Sequence, residues 1–358
     1  MLIYVAIGIA LFFAMNIGAS GAAATMGAAY GGGAIKKRRA LLVAALGVFL
    51  GAAIGGGEVV KTVGSGIIPT NLLGVEVVII ILFSATFTLF IANLMGIPLS
   101  TSEVTIGSVV GVGIAFQSLY LSKLFYIVSF WIIVPIVAFL MALLLGKLIL
   151  SAEKRWPQLK GKGKWGIWLG ALLIFTGFLE AFSAGMNNVA NAVGPLVGAG
   201  LMDVTTGIVV GGVFVALGAI FLGGKVLETN GKKITKLTLL QGSAVSATGA
   251  TLVIIASIFG IPVPLTQATT SAILGIGTAK NGFRIWQKDV IKQIIKVWIV
   301  SPVASLVVSF SLVKAIVDPN PYTLVAVLSV FIATVGMFSL YKTISREKSA
   351  IHDQGGGI

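Results

Sequence analysis

One segment occurs twice in this chain, 167 residues apart, and its two copies sit in opposite charge surroundings. The first copy runs Gly18-Ala-Ser-Gly-Ala-Ala-Ala-Thr-Met-Gly-Ala-Ala-Tyr-Gly31 and is followed by Lys36, Lys37, Arg38 and Arg39. The second runs Gly185-Met-Asn-Asn-Val-Ala-Asn-Ala-Val-Gly-Pro-Leu-Val-Gly198, and the stretch aligned with the four cations carries only Asp203. A duplication restricts the fold to arrangements that use one unit twice. Reversed flanking charge is what results when that unit is inserted into a membrane in both orientations, an architecture that mostly serves transport.

The membrane reading rests on composition. Only 10% of the 358 residues are charged and 57% are hydrophobic, and mean hydropathy is +1.05, whereas a soluble domain carries about 25% charged residues. The 46 glycines suit helices that pack closely in lipid. Without cysteine, disulfides, thiol chemistry and cysteine metal sites are excluded. The start, Met1-Leu2-Ile3-Tyr4, has no basic region and reads as a retained first crossing, not as a cleaved leader.

A crossing takes about 20 apolar residues. Stretches of that kind lie near 2–35 (long, Gly-rich and expected to be broken), 40–60, 76–95, 97–121 and 124–146, and again near 166–201, 204–224, 237–259, 261–279, 293–316 and 321–341. The expected fold class is therefore an all-α polytopic membrane protein: a first repeat at 1–150, a basic linker at 151–165, a second repeat at 166–316, and a final helix and tail at 317–358. Five segments per repeat is an odd number, so the second repeat is inverted. With the N-terminus outside and the C-terminus in the cytoplasm, 22 of the 25 Lys and Arg fall in cytoplasmic loops, and only Lys61, Lys123 and Lys314 fall outside. That bias fixes the expected orientation in the cell (inner) membrane. It also reads the net charge of +14 as a topology signal with anionic-lipid contact, not as a nucleic-acid surface.

Two further pieces repeat in the same order. Gly56-Gly-Glu58-Val-Val-Lys61-Thr answers to Gly223-Gly-Lys225-Val-Leu-Glu228-Thr, with the charge order reversed. The i,i+3 spacing puts each pair on one helical face, as a helix-end pair near an interface, a gate contact or an ion pair between the repeats. Gly96-Ile-Pro-Leu-Ser-Thr-Ser-Glu-Val-Thr-Ile-Gly-Ser-Val-Val-Gly-Val-Gly113 answers to Gly260-Ile-Pro-Val-Pro-Leu-Thr-Gln-Ala-Thr-Thr-Ser-Ala-Ile-Leu-Gly-Ile-Gly277, identical at six of eighteen positions. Each Gly-Ile-Pro reads as a helix stop followed by a fresh start, in a crossing or a re-entrant hairpin.

A helix that starts inside the membrane presents unpaired N–H groups and a positive dipole end, which together favour an anion. Ser20, Ser100, Thr101, Ser102, Thr266, Gln267, Thr269 and Thr270 add neutral polar groups, and Asn187, Asn188 and Asn191 add amides; these are the candidate ligand contacts. Small-residue packing is the plainer reading of the Gly/Ala stretches. Two carboxyls lie inside predicted crossings, Glu103 and Glu180, and are candidates for carrying a proton. No metal site or cofactor is expected. His352 lies in a polar tail and is assigned no role, and Gly55–Gly57 lacks the strand that a dinucleotide loop needs.

On these residues the chain resembles the inorganic phosphate transporter (PiT) family, which carries a Gly-Ala-Asn-Asp-Val-Ala-Asn-Ala signature once in each inverted half. Gly185-Met-Asn-Asn-Val-Ala-Asn-Ala is similar to the second copy and Gly18-Ala-Ser-Gly-Ala-Ala-Ala-Thr to the first. The resemblance runs from about residue 10 to about residue 315 and implies an oxyanion carrier with alternating access. The chain departs from the family at both signature aspartates, which are Gly21 and Asn188 here, and at the last Asn of the first copy, which is Ala24. Phosphate near neutral pH keeps a proton that a carboxylate accepts, whereas sulfate keeps none and is repelled by a carboxylate. Asn16-Ile-Gly-Ala-Ser-Gly and Gly55-Gly-Gly-Glu-Val-Val-Lys-Thr resemble the bacterial sulfate permease branch. The expectation is a secondary transporter importing sulfate, or a related tetrahedral oxyanion, by proton symport; sodium is the less favoured coupling ion, because the hard oxygen ligands are gone. The alternatives are a sodium- or proton-coupled phosphate symporter, an anion channel, and a membrane enzyme or scaffold. The expected partners are the oxyanion and the lipid bilayer, with a homodimer open and no nucleic acid.

Overall fold

The structure, a computed structural model, describes residues 1–94, 99–161, 163–234, 237–282, 289–323, 325–327 and 329. The Gly96-Ile-Pro turn, most of the crossing expected near 321–341 and His352 lie outside them.

The described residues form helices and no strands. In chain order these are α1 (Leu2–Thr25), α2 (Gly27–Gly31), α3 (Lys37–Gly55), α4 (Gly57–Ser65), α5 (Val75–Leu94), α6 (Thr101–Ala115), α7 (Leu121–Arg155), α8 (Lys164–Gly198), α9 (Val204–Leu222), α10 (Gly224–Ile234), α11 (Leu239–Ile258), α12 (Leu265–Asn281) and α13 (Asp289–Leu312). Among the described residues eight helices are long and apolar enough to cross a membrane: α1, α3, α5, α7, α8, α9, α11 and the stretch Trp298–Val317. Helices α6 and α12, grown from the Gly-Ile-Pro pieces, have 15 and 17 residues. At about 1.5 Å per residue α6 reaches about 22 Å, short of an apolar layer of about 30 Å.

The two halves use their elements in the same order, and the packing is reciprocal. Helix α3 packs on α8 as α9 packs on α1; α7 packs on α12 as α13 packs on α6; α11 lies on α8 as α5 lies on α1. The exchange holds at single residues. A methyl on Gly18 would stand 1.9 Å from the Val215 carbonyl oxygen, and one on Gly185 would stand 2.0 Å from the Val48 oxygen. Gly31 would meet the Gly231 oxygen at 2.3 Å, and Gly198 the Gly64 oxygen at 2.0 Å. Adding 167 to one member and subtracting it from the other turns each contact into its counterpart. Only glycine lets backbones approach this closely.

The duplicated segments themselves differ. The first behaves as expected: α1 passes through a π-helical turn at Gly18–Ala22 and leaves helical geometry at Met26 (φ −86°, ψ 4°). The second is not a break, because α8 runs without interruption over 35 residues, with Pro195 inside its last turn. Gly18–Ala24 offers almost no side chain to hold one backbone register. Val189, buried, and Asn187 and Asn191, bonded to other elements, pin the second copy.

The second Gly-Ile-Pro acts as a stop for a definite reason. Gly260, at φ +67°, ends α11 while the Ile261 amide bonds the Ala256 carbonyl and the Gly260 amide bonds that of Ser257, the paired bonds of a Schellman cap. The chain then runs extended through Pro262 and Pro264 to α12. At the opposite end of α11, the buried Glu153 carboxylate accepts from Thr238 Oγ1 (2.6 Å) and Gln241 Nε2 (3.2 Å), the two residues of that helix's capping box. A buried negative charge is favoured at a helix N-terminus. Sequence reasoning missed this anchor between α7 and α11.

Candidate functional site

Non-helical backbone survives at membrane depth only if every polar group finds a partner. Residues 261–263 meet that demand through side chains of three helices. The Ile261 carbonyl accepts from Asn187 Nδ2 (3.0 Å) and the Pro262 carbonyl from Trp131 Nε1 (3.0 Å). The Val263 amide donates to Asn187 Oδ1 (3.1 Å), and the Val263 carbonyl accepts from Ser102 Oγ (3.3 Å). Asn187 is thereby fully used: its amide also donates to Ser257 Oγ (2.9 Å), and Ser102 Oγ lies 3.4 Å from its oxygen. It clamps α8, the end of α11, the 261–263 connector and the start of α6 together. Ser257 and the connector backbone were not foreseen; a buried Ser three residues before a Gly cap is a weak signal.

Asn191, one turn along α8, donates to Thr101 Oγ1 (3.2 Å) and Ser102 Oγ (3.3 Å) at the N-terminus of α6. Its own Oδ1 is fully buried and has no partner. Ser100 caps α6, its Oγ accepting from the Glu103 amide (3.4 Å), and the first intrahelical bond is Val104 N to Ser100 O. The Thr101 and Ser102 amides therefore precede the helical ladder. Helix α12 begins likewise at Leu265 and Thr266, with no side-chain cap.

Asn188 faces the other copy of the duplicated segment. Its Nδ2 lies 3.5 Å from where a methyl on Gly21 would stand. Among the described residues its amide makes no hydrogen bond, although the residue is only 4% exposed. The two positions that hold the signature aspartates in the resembled family thus meet each other, and here one supplies an amide and the other no side chain. Neighbouring Ser20 bonds the Asn16 carbonyl (2.9 Å) and is half-buried.

The candidate carboxyls are buried and hydrogen-bonded. Glu103 accepts from Gln267, which is its own repeat partner 164 residues on, and from Ser301 of α13. Glu180 accepts from Thr269 Oγ1 (2.6 Å). Thr270 Oγ1 donates to the Thr266 carbonyl (2.7 Å), and both residues are half-buried. So Thr101, Ser102, Asn187 and Asn191 form one network, Glu103 and Gln267 a second, Glu180 and Thr269 a third, and Ser20 with Asn188 lies beside the π-helical turn. Ser301 was missed, because nothing in its local sequence sets it apart. Among the described residues no group of three His, Cys, Asp or Glu gathers to hold a metal. The arrangement offers amide and hydroxyl donors and helix N-termini in buried surroundings, which suits an anion that brings no proton of its own.

The matching pairs Glu58/Lys61 and Lys225/Glu228 take different partners. Lys61 Nζ bonds Glu58 Oε1 within α4 at 2.7 Å, whereas Glu228 bonds Lys37 of the first half at 2.7 Å.

Comparison with known proteins places this scaffold. Residues 17–309 match the model of the phosphate transporter family. A protein of Bacillus subtilis named sulfate permease CysP is 55% identical over 354 residues, covering 99% of each chain. A putative phosphate permease of Pyrococcus furiosus is 31% identical, over 88% of this chain and 96% of its own length. Among solved structures, a sodium-dependent phosphate transporter superposes with a TM-score of 0.75 at 24% identity, covering 88% of this chain and 99% of its own, a likeness of fold. The apolar helices and the family match agree, and this chain is a multi-pass membrane transporter belonging to the phosphate transporter family.

Proposed function

We propose that the chain imports inorganic sulfate across the cell membrane by proton symport. The observation that carries this reading is the meeting of Gly21 and Asn188: an unpaired amide faces an empty position where a carboxylate would repel a dianion. The 55% identity to a protein named sulfate permease supports it. Sulfate would take its donors from Asn188, Thr101, Thr266 and the first amides of α6 and α12, with Ser102, Asn187 and Asn191 holding those groups in place. Ser20, Ser100 and Thr270 bond backbone groups of their own helices, and Gln267 and Thr269 bond the two buried carboxyls. Glu103 and Glu180 would carry the coupling proton, each having hydroxyl or amide partners that accommodate a proton gained or lost.

In this reading the halves 1–150 and 166–316 are inverted about an axis in the membrane plane, as the reciprocal packing suggests, and one bundle moves against the other to alternate access. The fourth segment of each half is then α6 or α12. The N-terminus lies outside and the C-terminus inside.

Phosphate symport is the second reading. It is favoured by Glu103, adjacent to Ser102 and able to accept a phosphate proton, and by relatives named putative phosphate permeases. Uptake into proteoliposomes under separate proton and sodium gradients decides between them. The first reading expects labelled sulfate to accumulate with a proton gradient alone and phosphate to compete weakly. Phosphate uptake that sulfate leaves untouched overturns it. Glu103→Gln should leave sulfate binding in place and abolish the response to the proton gradient.

A further inference from the structure

The charge reversal between the repeats leaves a feature that substrate binding does not use. Lys37, at the start of α3, and Glu228, in α10, lie 191 residues apart and bond at 2.7 Å, joining the two halves. The repeat counterparts of the residues around this contact are Asp203 for Lys36, Val204 for Lys37 and Lys61 for Glu228. Lys36 and Asp203 occupy the same structural place, the N-cap of α3 and of α9. The packing is reciprocal here as well, α10 touching α3 and α4 touching α9. At one end of the molecule a cation on the cap side faces an anion on the short helix. At the other end the position of Lys37 holds Val204, and the cap-side charge is the adjacent Asp203, an anion, with the cation Lys61 on the short helix.

Only one end is engaged. Lys61 is bonded to Glu58 on its own helix. Asp203 is exposed and accepts from the Thr206 amide at 2.9 Å; the Thr206 hydroxyl and amide hold its carboxyl below the usual range, so it carries full charge. The packing differs in the same sense. A methyl on Gly224, beside the engaged pair, would stand 3.0 Å from Lys37 Cε, while one on its counterpart Gly57 would meet nothing nearer than Ile208 Cδ1 at 3.8 Å.

We infer that Lys37–Glu228 and Asp203–Lys61 are reciprocal latches of the transport cycle, the first closed in this structure, the second closing when the first opens as Lys61 exchanges Glu58 for Asp203. The inference rests on the reading that access alternates. Two exposed pairs of opposite polarity, one at each end and offset by one residue on the cap side, would each hold one state, because such pairs are individually weak and easily exchanged.

The chain has no cysteine, so engineered thiols report without background. A short thiol-to-thiol cross-linker suits the test better than a direct disulfide, which demands a closer backbone approach than a Lys–Glu pair provides. Full-length K37C/E228C and D203C/K61C proteins in liposomes should each cross-link, read by gel mobility without any substrate. Each link should abolish uptake, and reducing a cleavable linker should restore it. In the four-cysteine protein, closing the first link should suppress the second. Failure of D203C/K61C to cross-link, or both links forming in one molecule, overturns the inference. Charge reversal checks it without thiols: K37E and E228K should each reduce uptake, and K37E/E228K together should recover it; no recovery counts against the latch. Loss of the latch with sulfate still accumulating leaves the proposed transport intact, whereas absence of accumulation in the unmodified protein removes the reading beneath it.

Discussion

The two copies of the duplicated segment occupy equivalent places and do different work. Both press a glycine onto the backbone of the opposite half, Gly18 against Val215 and Gly185 against Val48. In one copy the backbone winds into a π-helical turn and offers Ser20 and a bare Gly21. In the other a continuous helix presents Asn187, Asn188 and Asn191, all buried. The scaffold is symmetric and the chemistry is not. Close backbone packing tolerates only glycine, so it constrains both copies alike, whereas polar side chains need one set of partners and so accumulate on one side.

The comparison breaks first at Asn187. Asn187→Leu removes four hydrogen-bonding contacts and leaves the Val263 amide and Ile261 carbonyl buried without partners, at about 1–3 kcal/mol for each such group. Uptake should vanish and the thermal midpoint should fall clearly, measured on purified protein. A normal midpoint with full uptake would remove the clamp from the account. Next come Gly18→Ala and Gly185→Ala. A symmetric scaffold expects both to destabilise by similar amounts, at least about 1–3 kcal/mol each from overpacking. Urea or thermal unfolding that shows one tolerated and the other severe would show that the halves do not carry load equally. The smallest effect belongs to Ser20→Ala, which loses one bond to its own helix and should cost no more than about 1 kcal/mol, with uptake within a few-fold of normal. A large loss there would place more of the site in the first copy than the structure suggests.

Much of this was legible in the sequence because it depends on local rules. Hydropathy marked the crossings that became α1, α3, α5, α7, α8, α9, α11 and Trp298–Val317, and the second Gly-Ile-Pro marked a stop and restart. Glu103 and Gln267, aligned by the duplication, do touch. The parts that were not legible depend on what lies across a gap. Asn187 and Asn188 are adjacent and chemically identical, yet one is saturated and the other unpaired, and only the position of the 261–263 connector separates them. Lys225 and Glu228 have the spacing of a helical pair, yet Glu228 reaches Lys37, because α10 packs near the start of α3. The second copy duplicates a segment that breaks in the first, but side chains supplied by distant helices hold it as one continuous α8.

The central claim is that the facing positions Gly21 and Asn188 form a neutral seat for an oxyanion without a proton. Sulfate binding to purified protein and to Gly21→Asp tests it directly. The new side chain starts 3.5 Å from Asn188 Nδ2, an ordinary contact, so the variant should fold. Two like unit charges about 4 Å apart repel by about 4 kcal/mol at an effective dielectric of 20, and sulfate carries two. The account expects sulfate affinity to fall at least about tenfold at neutral pH, with an unchanged thermal midpoint. Unaltered sulfate affinity in a folded Gly21→Asp protein would contradict it.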